Sequence, residues 1–252
     1  MLKTQVKRLA RALGIKERRA RRAESVPPDF DEQTARIFRA VAAYTMTSAE
    51  RVEALVNAVR YIAANGVAGD IVECGVWRGG SSMAAALTLK ELGDERRHLY
   101  LYDTFEGMSA PTEEDVTLDG VAAKGKFVER QLGEESSDWC RALLEEVRQN
   151  VAGTGYPADR LHFIKGKVEA TLPMSMPAGP IALLRLDTDW YESTRHELVH
   201  LYPRLARGGV LIIDDYGHWA GARKAVDEYF SAHPPALLLN RVDYTARIAV
   251  KP

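Results

Sequence analysis

Four aspartates in two short motifs are the residues whose spacing points most directly to chemistry. Asp187 and Asp189 follow one strongly apolar run, and Asp214 and Asp215 follow another. Because side chains alternate between the faces of a strand, Asp187 and Asp189 are expected to point the same way. If the two runs are parallel neighbours, their carboxyl ends meet at one edge of the sheet, where α/β proteins bind ligands. The sequence therefore predicts that the four carboxylates share a small space.

Such a cluster is unfavourable unless a cation compensates its charge. Two carboxylates about 4 Å apart repel by roughly 1 kcal/mol in water and about 4 kcal/mol at an effective dielectric of 20. Mg²⁺ accepts carboxylate and water oxygens in octahedral geometry, so it is the expected ion. The alternative, in which individual acids cap helices or face solvent, stays open for each aspartate taken alone.

Composition limits the class of protein. A chain of 252 residues is long enough for one large α/β domain or two small ones. The net charge of −1 argues against a nucleic-acid-binding body, and no apolar run is long enough to span a membrane. Cys74 and Cys140 are too few and too far apart for a disulfide framework or a thiolate metal site. We therefore expect a cytoplasmic protein whose partner is a small molecule.

Residues 1–30 form a basic N-terminal arm, and residues 31–252 form the main domain. The first 22 residues carry nine Lys or Arg against the acid Glu17, with leucine and valine on one helical face. This pattern fits a solvated helix or an arm that packs on another subunit, so we expect a homo-oligomer. A transit peptide and a contact with anionic lipid are the alternatives.

A glycine turn follows the first predicted strand, residues 70–74. Gly75 opens the sequence G-V-W-R-G-G-S-S, which leads into a helix. Glycine lets a ligand approach the backbone, and a helix N-terminus offers N–H donors to a carboxylate or phosphate. The glycine spacing matches neither a dinucleotide fingerprint nor a Walker loop, so a purely structural turn stays open. Asp103 ends the second strand, where an acid can accept both hydroxyls of a ribose, or simply stabilise a turn.

Several other elements can be read from local patterns. Thr47 and Glu50 form a capping-box pattern that predicts a helix beginning at Thr47. Residues of about 107–139 lack periodicity and are interpreted as a substrate lid, followed by a helix over 139–150. Ser193 is expected to cap the helix that follows the first acidic motif. Two strand-like runs, 236–240 and 245–250, predict a terminal antiparallel hairpin.

Four motifs in order resemble the macrocin O-methyltransferase family: D-I-V-E-C-G-V-W-R-G-G-S, Y-D-T-F-E-G-M, L-R-L-D-T-D-W-Y-E-S-T and I-I-D-D-Y-G. The resemblance covers roughly residues 35–250. It implies a class I S-adenosylmethionine-dependent methyltransferase of Rossmann-like α/β fold. Such a fold has a seven-stranded, mostly parallel sheet with a terminal antiparallel hairpin and helices on both faces. Family members use S-adenosylmethionine and Mg²⁺ to methylate sugar hydroxyls of natural products.

The resemblance also implies roles for individual residues. Asp187, Asp214 and Asp215 are the expected metal ligands, and Asp189 is the expected general base, with Asp187 as the second catalytic acid. The implied cofactor-binding residues are Thr45, Met46, Glu73, Gly75, Ser81, Ser82, Asp103, Gly166, Lys167 and Asp187. Thr188 and Trp190 depart from the family's usual Gly and Met, and both changes are expected to reshape the pocket.

The implied chemistry agrees with the acids that the sequence provides. An alcohol is as weakly acidic as water, so metal binding to its oxygen and proton removal by a carboxylate both favour methyl transfer. Catechol methyltransferases have a Lys where this chain has Trp190, which favours a sugar or aliphatic hydroxyl as the acceptor. His218 is interpreted as a core residue or a substrate contact, and His196 and His200 as surface residues. A metal-dependent hydrolase and a non-catalytic binding protein are the alternative functions.

Overall fold

The computed structural model describes residues 26–234 and 236–252. The predicted basic arm falls mainly on residues 1–25, which lie outside the described residues, so its role stays a prediction. Within the described part of the chain, no helix combines the length and apolar character needed to cross a membrane.

The described elements alternate between strands and helices along most of the chain. The strands are β1 (Asp70–Cys74), β2 (Leu99–Asp103), β3 (Gln131–Gly133), β4 (Ser136–Ser137), β5 (Leu161–Lys165), β6 (Ile181–Leu186), β7 (Leu205–Ile213), β8 (Asn240–Arg241) and β9 (Arg247–Val250). The helices are α1 (Glu32–Val41), α2 (Ala49–Ala64), α3 (Gly80–Glu91), α4 (Ala123–Glu129), α5 (Leu144–Ala152), α6 (Val168–Thr171), α7 (Tyr191–His200) and α8 (Ala220–Ala232).

Seven of the strands form one sheet in the order β5-β2-β1-β6-β7-β9-β8. The five strands from β5 to β7 are parallel, whereas β9 is antiparallel to both β7 and β8. Alternate residues of β1 enter separate cores: Ile71 packs with α1, α2, α3 and α5, and Val72 packs with α6, α7 and α8. The predicted sheet, with its terminal hairpin and helices on both faces, is confirmed.

The register of the central strands positions the acidic motifs. Glu73 of β1 pairs with Arg185 of β6, which pairs in turn with Ile212 of β7, so the three strands end nearly level. The Asp187 N–H donates to the carbonyl of Cys74 (2.8 Å), and the Asp214 N–H donates to the carbonyl of Leu186 (2.9 Å). Both acidic motifs therefore begin at the same edge of the sheet.

Several predicted helix boundaries were wrong, for local physical reasons. Ser48, not Thr47, caps α2, because the Ser48 hydroxyl accepts the N–H of Arg51. The helix predicted from residue 139 begins only at Leu144, since Cys140 has the left-handed φ of 52°. Ser193 lies inside α7, whose first N–H, that of Tyr191, is instead bound by the distant carboxylate of Asp115.

The terminal strands are shorter than predicted. In place of residues 236–240, β8 covers only Asn240–Arg241, and β9 begins at Arg247 rather than at residue 245. The Asp243 carboxylate accepts the N–H groups of Thr245 and Ala246, which holds this stretch in a turn. The predicted lid segment is ordered into α4 and the β3–β4 hairpin.

We predict that Gly80→Ala lowers the melting temperature although Ala is the better helix former. A Cβ at Gly80 would lie 2.6 Å from the carbonyl carbon of Tyr44 and from Cβ of Thr45, so the backbone must shift. Overpacking of this kind costs about 1–3 kcal/mol, or roughly 2–4 °C per kcal/mol for a chain of this size. The matched control is Gly125→Ala in α4, where a Cβ meets nothing within 4 Å. Thermal unfolding that is equal for the two variants would contradict this packing.

Candidate active site

A cleft of about 380 Å³ opens at the carboxyl ends of the parallel strands. Its volume lies in the range of small-molecule sites, which is about 300–1,000 Å³. All but one of the predicted site residues line it: Thr45, Met46, Glu73, Gly75, Ser81, Asp103, Gly166, Lys167, Asp187, Asp189, Asp214 and Asp215. The sequence-based grouping of these residues into one site is therefore consistent with the fold, although their individual roles stay predictions.

Ser82 is the exception, because it lies behind the cleft wall. Its hydroxyl donates a short hydrogen bond to Oε2 of Glu73, and Oε1 of Glu73 accepts from Arg185 (2.8 Å). Burial raises the pKa of the Glu73 carboxyl, and the Arg185 guanidinium opposes that rise. Ser82 therefore orients Glu73 rather than facing the cleft.

The turn after β1 needs its glycine and its acid for structural reasons. Gly75 has φ of +81°, and a Cβ there would overlap the carbonyl of Asp187. Asp103 accepts N–H groups from Val76 (2.7 Å), Trp77 (3.1 Å) and Phe105 (2.7 Å). The turn-stabilising role that the sequence left open for Asp103 is therefore present, and a ribose contact by its remaining lone pairs stays a prediction.

The segment that resembles a cofactor cover closes one side of the cleft. Gly80 at the start of α3 donates its N–H to the carbonyl of Tyr44 (3.0 Å), which fixes the segment against the helix. The Thr45 and Thr47 hydroxyls share a buried hydrogen bond of 2.9 Å, whereas Met46 is 50% exposed. The segment therefore lines the cleft with the anchored Thr45 and Thr47 on either side of the more exposed Met46.

Three acids converge at the ends of β6 and β7. One carboxylate oxygen from each of Asp187, Asp214 and Asp215 lies within 4.8 Å of the others. Among the described residues this is the group of acids, histidines and cysteines with metal-ligand spacing. The predicted convergence of both motifs is thus present in the structure.

Two arginines that pack against these acids partly neutralise their negative charge. Arg185 is 3% exposed and donates to Oδ2 of Asp187 (2.7 Å) and to Oδ1 of Asp214 (2.6 Å). Arg51 of α2 donates a short hydrogen bond to Oδ2 of Asp214 and lies 3.0 Å from Asp243. Sequence reasoning gave neither arginine a role, although a charged residue inside the apolar strand I-A-L-L-R-L is a visible signal.

The acids still outnumber the arginines around the cluster. Burial raises the pKa of Asp187 and of Asp215 well above the usual range, and repulsion by neighbouring acids raises it further. A donor set of three carboxylates with excess negative charge suits a hard divalent cation. The residues present therefore fit the magnesium ion that the family resemblance implies.

Asp189 lies beside the three acids, where its side chain interacts with that of Asp215, and it has an unusual backbone conformation. Its φ of 68° lies in the left-handed region, which Asp tolerates better than most residues. Its Oδ1 accepts the indole N–H of Trp219 (2.5 Å). Burial raises the pKa of Asp189 to about 7, and the charge of Asp187 contributes to the rise. A carboxylate with such a pKa is suited to proton transfer near neutrality.

Aromatic side chains surround Asp189. Trp139, Trp190 and Trp219 pack edge to face, with ring centroids 5.0–6.2 Å apart. Trp139 and Trp219 line the cleft, whereas Trp190 packs behind them and donates its N–H to the carbonyl of Ser109 (3.1 Å). The expected effect of Trp190 on the pocket is therefore indirect, through the two tryptophans that it supports.

The segment over 107–139 contributes cleft residues that the sequence did not single out. Lys126, Trp139 and Cys140 line the cleft, and the Lys126 ammonium lies 3.9 Å from the centroid of the Trp139 ring. The weak periodicity of residues 107–139 gave no sequence signal for these three side chains. The role of the segment as a lid stays a prediction.

The histidines and tyrosines considered from the sequence divide into two groups. His218 lines the cleft and its Nδ1 is 2.7 Å from the Tyr244 hydroxyl. The rings of His196 and His200 pack together outside the acid cluster. Tyr191 and Tyr216 follow the two acidic motifs but do not line the cleft, and their hydroxyls donate to Glu228 and Asp227.

We predict that Asp215→Asn stabilises the metal-free protein. The folded-state pKa of Asp215 is raised, so its contribution to stability is lost as the pH rises through that pKa. Removing the charge should raise the free energy of unfolding near pH 8 by on the order of 1–3 kcal/mol and flatten its dependence on pH. Chemical denaturation in chelator between about pH 5 and pH 8 measures both effects.

Asp243→Asn is the control of opposite sign. Burial alone would raise the pKa of Asp243, but hydrogen bonds from the Ala246 N–H and the Ser48 hydroxyl lower it below its usual value. This substitution should therefore destabilise the protein near neutral pH, where the stabilising charge is present. The account is contradicted if Asp215→Asn is as destabilising as Asp243→Asn.

Comparison with known proteins assigns the chain to a family. The family model described as macrocin O-methyltransferase (TylF) matches residues 3–249. The chain is 38% identical over 204 residues to the Streptomyces olivaceus enzyme 8-demethyl-8-(2,3-dimethoxy-alpha-L-rhamnosyl)-tetracenomycin-C 4'-O-methyltransferase, covering 81% of this chain and 74% of that one. It is 35% identical over 191 residues to mycinamicin III 3''-O-methyltransferase of Micromonospora griseorubida, covering 76% of this chain and 72% of that one.

A solved structure supports the same assignment. The O-methyltransferase NovP superimposes with a TM-score of 0.72 at 31% identity, covering 82% of each chain. These similarities favour methyl transfer over the metal-dependent hydrolysis that the acids alone would allow. With the class I methyltransferase fold and the acids in place, the chain is an O-methyltransferase that belongs to the macrocin O-methyltransferase family.

Proposed function

We propose that this enzyme transfers a methyl group from S-adenosylmethionine to a hydroxyl of a sugar or of a glycosylated natural product, and that Mg²⁺ is required. The observation that supports the proposal best is the joining of two features in one cleft. The cluster of Asp187, Asp214 and Asp215 lies beside the glycine turn and ribose-type acid of a methyltransferase fold. Neither feature alone would distinguish methyl transfer from other metal-assisted reactions.

The cofactor end of the cleft is proposed to lie over β1, β2 and β5. Gly75 lets the methionine part approach the backbone beside Glu73, and Ser81 offers a hydroxyl at the start of α3. Asp103 faces the ribose, and Gly166 and Lys167 border the adenine. Lys167 is paired with Glu135, so its aliphatic stem rather than its ammonium group would contact the base.

The metal is proposed to be held by Asp187, Asp214 and Asp215. When bound, Mg²⁺ would supply Lewis acidity that favours deprotonation of an acceptor hydroxyl and orients it. Arg185 and Arg51 hold the ligand carboxylates in place through hydrogen bonds. The arginines occupy both oxygens of Asp214 but only Oδ2 of Asp187, and each of these oxygens keeps a second lone pair that can bind a cation.

Asp189 is proposed to take the proton of the acceptor hydroxyl as its oxygen attacks the methyl group. The Trp219 N–H fixes Oδ1 of Asp189, and the side chain of Asp215 is a second polar neighbour of this carboxylate. The raised pKa of Asp189, about 7, favours acceptance of a proton near neutral pH.

The acceptor class rests on the relatives and on the walls of the cleft. The two curated relatives described above are named for methylation of a rhamnosyl group and of mycinamicin III. Trp139 and Trp219 offer apolar surface for a sugar ring, and His218 offers a hydrogen-bonding group on the same cleft. This mixture suits a hydroxylated ring better than a flat catechol. The expected homo-oligomer stays a prediction.

We predict that Asp189→Asn lowers kcat by on the order of 100-fold or more, because the amide has no capacity to accept the acceptor's proton. The affinity for S-adenosylmethionine, measured by calorimetry, should stay within about twofold. Asp227→Asn is the control, since Asp227 is exposed and bonds Tyr216 away from the cleft. Near-normal turnover by Asp189→Asn would remove the assigned role of this residue.

Chelation gives a second prediction. Treatment with a chelator should abolish methyl transfer to a glycosylated acceptor, and added Mg²⁺ should restore it, because the acid cluster repels the acceptor alkoxide when no cation is bound. Mass spectrometry of a panel of glycosides and aglycones with labelled cofactor measures the transfer. Full activity in chelator would exclude the metal requirement, and methylation of aglycones alone would exclude the sugar acceptor.

A further inference from the structure

Glu197 is a buried acid for which the mechanism above has no use. It lies on α7, its side chain belongs to a residue of 0% exposure, and Leu198 beside it packs into the core. Burial raises its pKa well above the usual value, which favours the neutral form. An isolated acid in such a position needs a partner or a function, because an apolar residue would fill the same space without a desolvation cost.

The partner of Glu197 is the residue between the metal ligand and the base. The Thr188 hydroxyl donates to Oε1 of Glu197 (3.0 Å), across nine positions of the chain. Thr188 itself lines the cleft between Asp187 and Asp189. The carboxyl of Glu197 also lies close enough to the Cys74 thiol, at the end of β1, to affect its pKa. Glu197 therefore lies next to the carboxyl ends of β1 and β6, on the side of them away from the cleft.

Backbone hydrogen bonds hold the loop above Glu197, and side chains fix its ends. The Asp187 N–H is bound by the carbonyl of Cys74, the Thr188 carbonyl accepts the N–H of Trp190 (2.8 Å), and the Asp189 side chain is bound by Trp219. Between its ends the backbone turns into the left-handed conformation of Asp189. The hydrogen bond from Thr188 to Glu197 is thus the side-chain contact that fixes the middle of the turn.

We propose that Glu197 is a positioning residue, which holds Thr188 from beneath and so sets the separation between the ligand Asp187 and the base Asp189. The inference rests on the proposed function of those two acids. It concerns a contact between Thr188, which lines the cleft, and Glu197, which lies behind it on α7. Its other oxygen, Oε2, has no hydrogen-bond partner among the described residues, so the Thr188 contact is the main polar anchor of this side chain.

Removal of either side of the contact tests the proposal. Thr188→Val replaces the hydroxyl by a methyl group of the same shape, and Glu197→Leu removes the acceptor. Mn²⁺ is the probe for the proposed Mg²⁺ site. Each variant should bind Mn²⁺ about tenfold more weakly and have a kcat about tenfold lower, as the loss of a group that orients a metal ligand typically causes. In Glu197→Leu the acceptor KM and the affinity for S-adenosylmethionine should stay within about twofold, because Glu197 does not line the cleft. The double variant should be no worse than the worse single variant, since both remove one interaction.

Conservative variants separate positioning from simple stability. Thr188→Ser keeps the hydroxyl and Glu197→Gln keeps an acceptor oxygen, so both should retain Mn²⁺ affinity and kcat near those of the unmodified enzyme. Thr88→Val is the control for loss of a threonine hydroxyl far from the cleft, because Thr88 is buried in α3 and its hydroxyl donates to the carbonyl of Ala84 (2.7 Å). If Glu197→Leu fails to fold, Thr188→Val still decides, since Thr188 is only partly buried.

Electron paramagnetic resonance measures the affinity for Mn²⁺ independently of methyl transfer. An unmodified enzyme that binds Mn²⁺ but methylates no glycoside would contradict the proposed function, while the ranking of Mn²⁺ affinities among the variants would still test Glu197. Unchanged Mn²⁺ affinity and kcat in Thr188→Val would overturn the positioning role. Equal losses in Thr88→Val and Thr188→Val would also overturn it, because the effect would then be one of general stability.

Discussion

Excess negative charge, held at one edge of the sheet, is the constraint on which the active site depends. One carboxylate oxygen from each of Asp187, Asp214 and Asp215 lies within 4.8 Å of the others, and Asp189 lies beside them. Burial makes their mutual repulsion stronger than it would be in water. The protein keeps these acids together only because rigid strands carry them and because positive groups lie beneath.

The two arginines lower this repulsion without removing it. Arg185 joins Glu73, Asp187 and Asp214 into one buried network, and Arg51 extends the network to α2 and the Asp243 turn. An ion pair of this kind contributes little to net stability relative to an apolar core, but breaking one partner is costly. The network preorganises the acids and leaves a net negative charge, which a divalent cation is suited to neutralise.

Much of the architecture could be predicted from the sequence, because the relevant signals are local. Apolar runs ending in paired acids indicated β6 and β7. The strand period that was expected to place Asp187 and Asp189 on one face does not apply, because β6 ends at Leu186 and Asp189 has a left-handed φ of 68°. Residues that act through distant partners gave weaker signals. The Asp115 carboxylate binds the first N–H of α7 from 76 positions away, and no pattern near Tyr191 indicates this. Lys126 and Trp139 reach the cleft through the tertiary packing of a weakly periodic segment.

The site residues also divide into those that a local pattern indicates and those whose position depends on distant partners. Gly75 was recognisable because a turn at the end of a strand requires positive φ, whereas Ser82 was expected in the cleft but supports Glu73 from behind. Ser81 and Ser82 are adjacent in sequence, and the direction in which α3 begins decides which of the two faces the cleft. Glu197 carries no local signal, because its partner is set by the packing of α7 under the first acidic motif.

The most direct test of a metal held by acids from two strands is the anomalous difference map of a crystal soaked in Mn²⁺. One peak is expected within coordination distance of an oxygen from each of Asp187, Asp214 and Asp215, adjacent to Asp189. A map with no peak at these three carboxylates, under conditions that saturate the protein with Mn²⁺, would contradict the central claim.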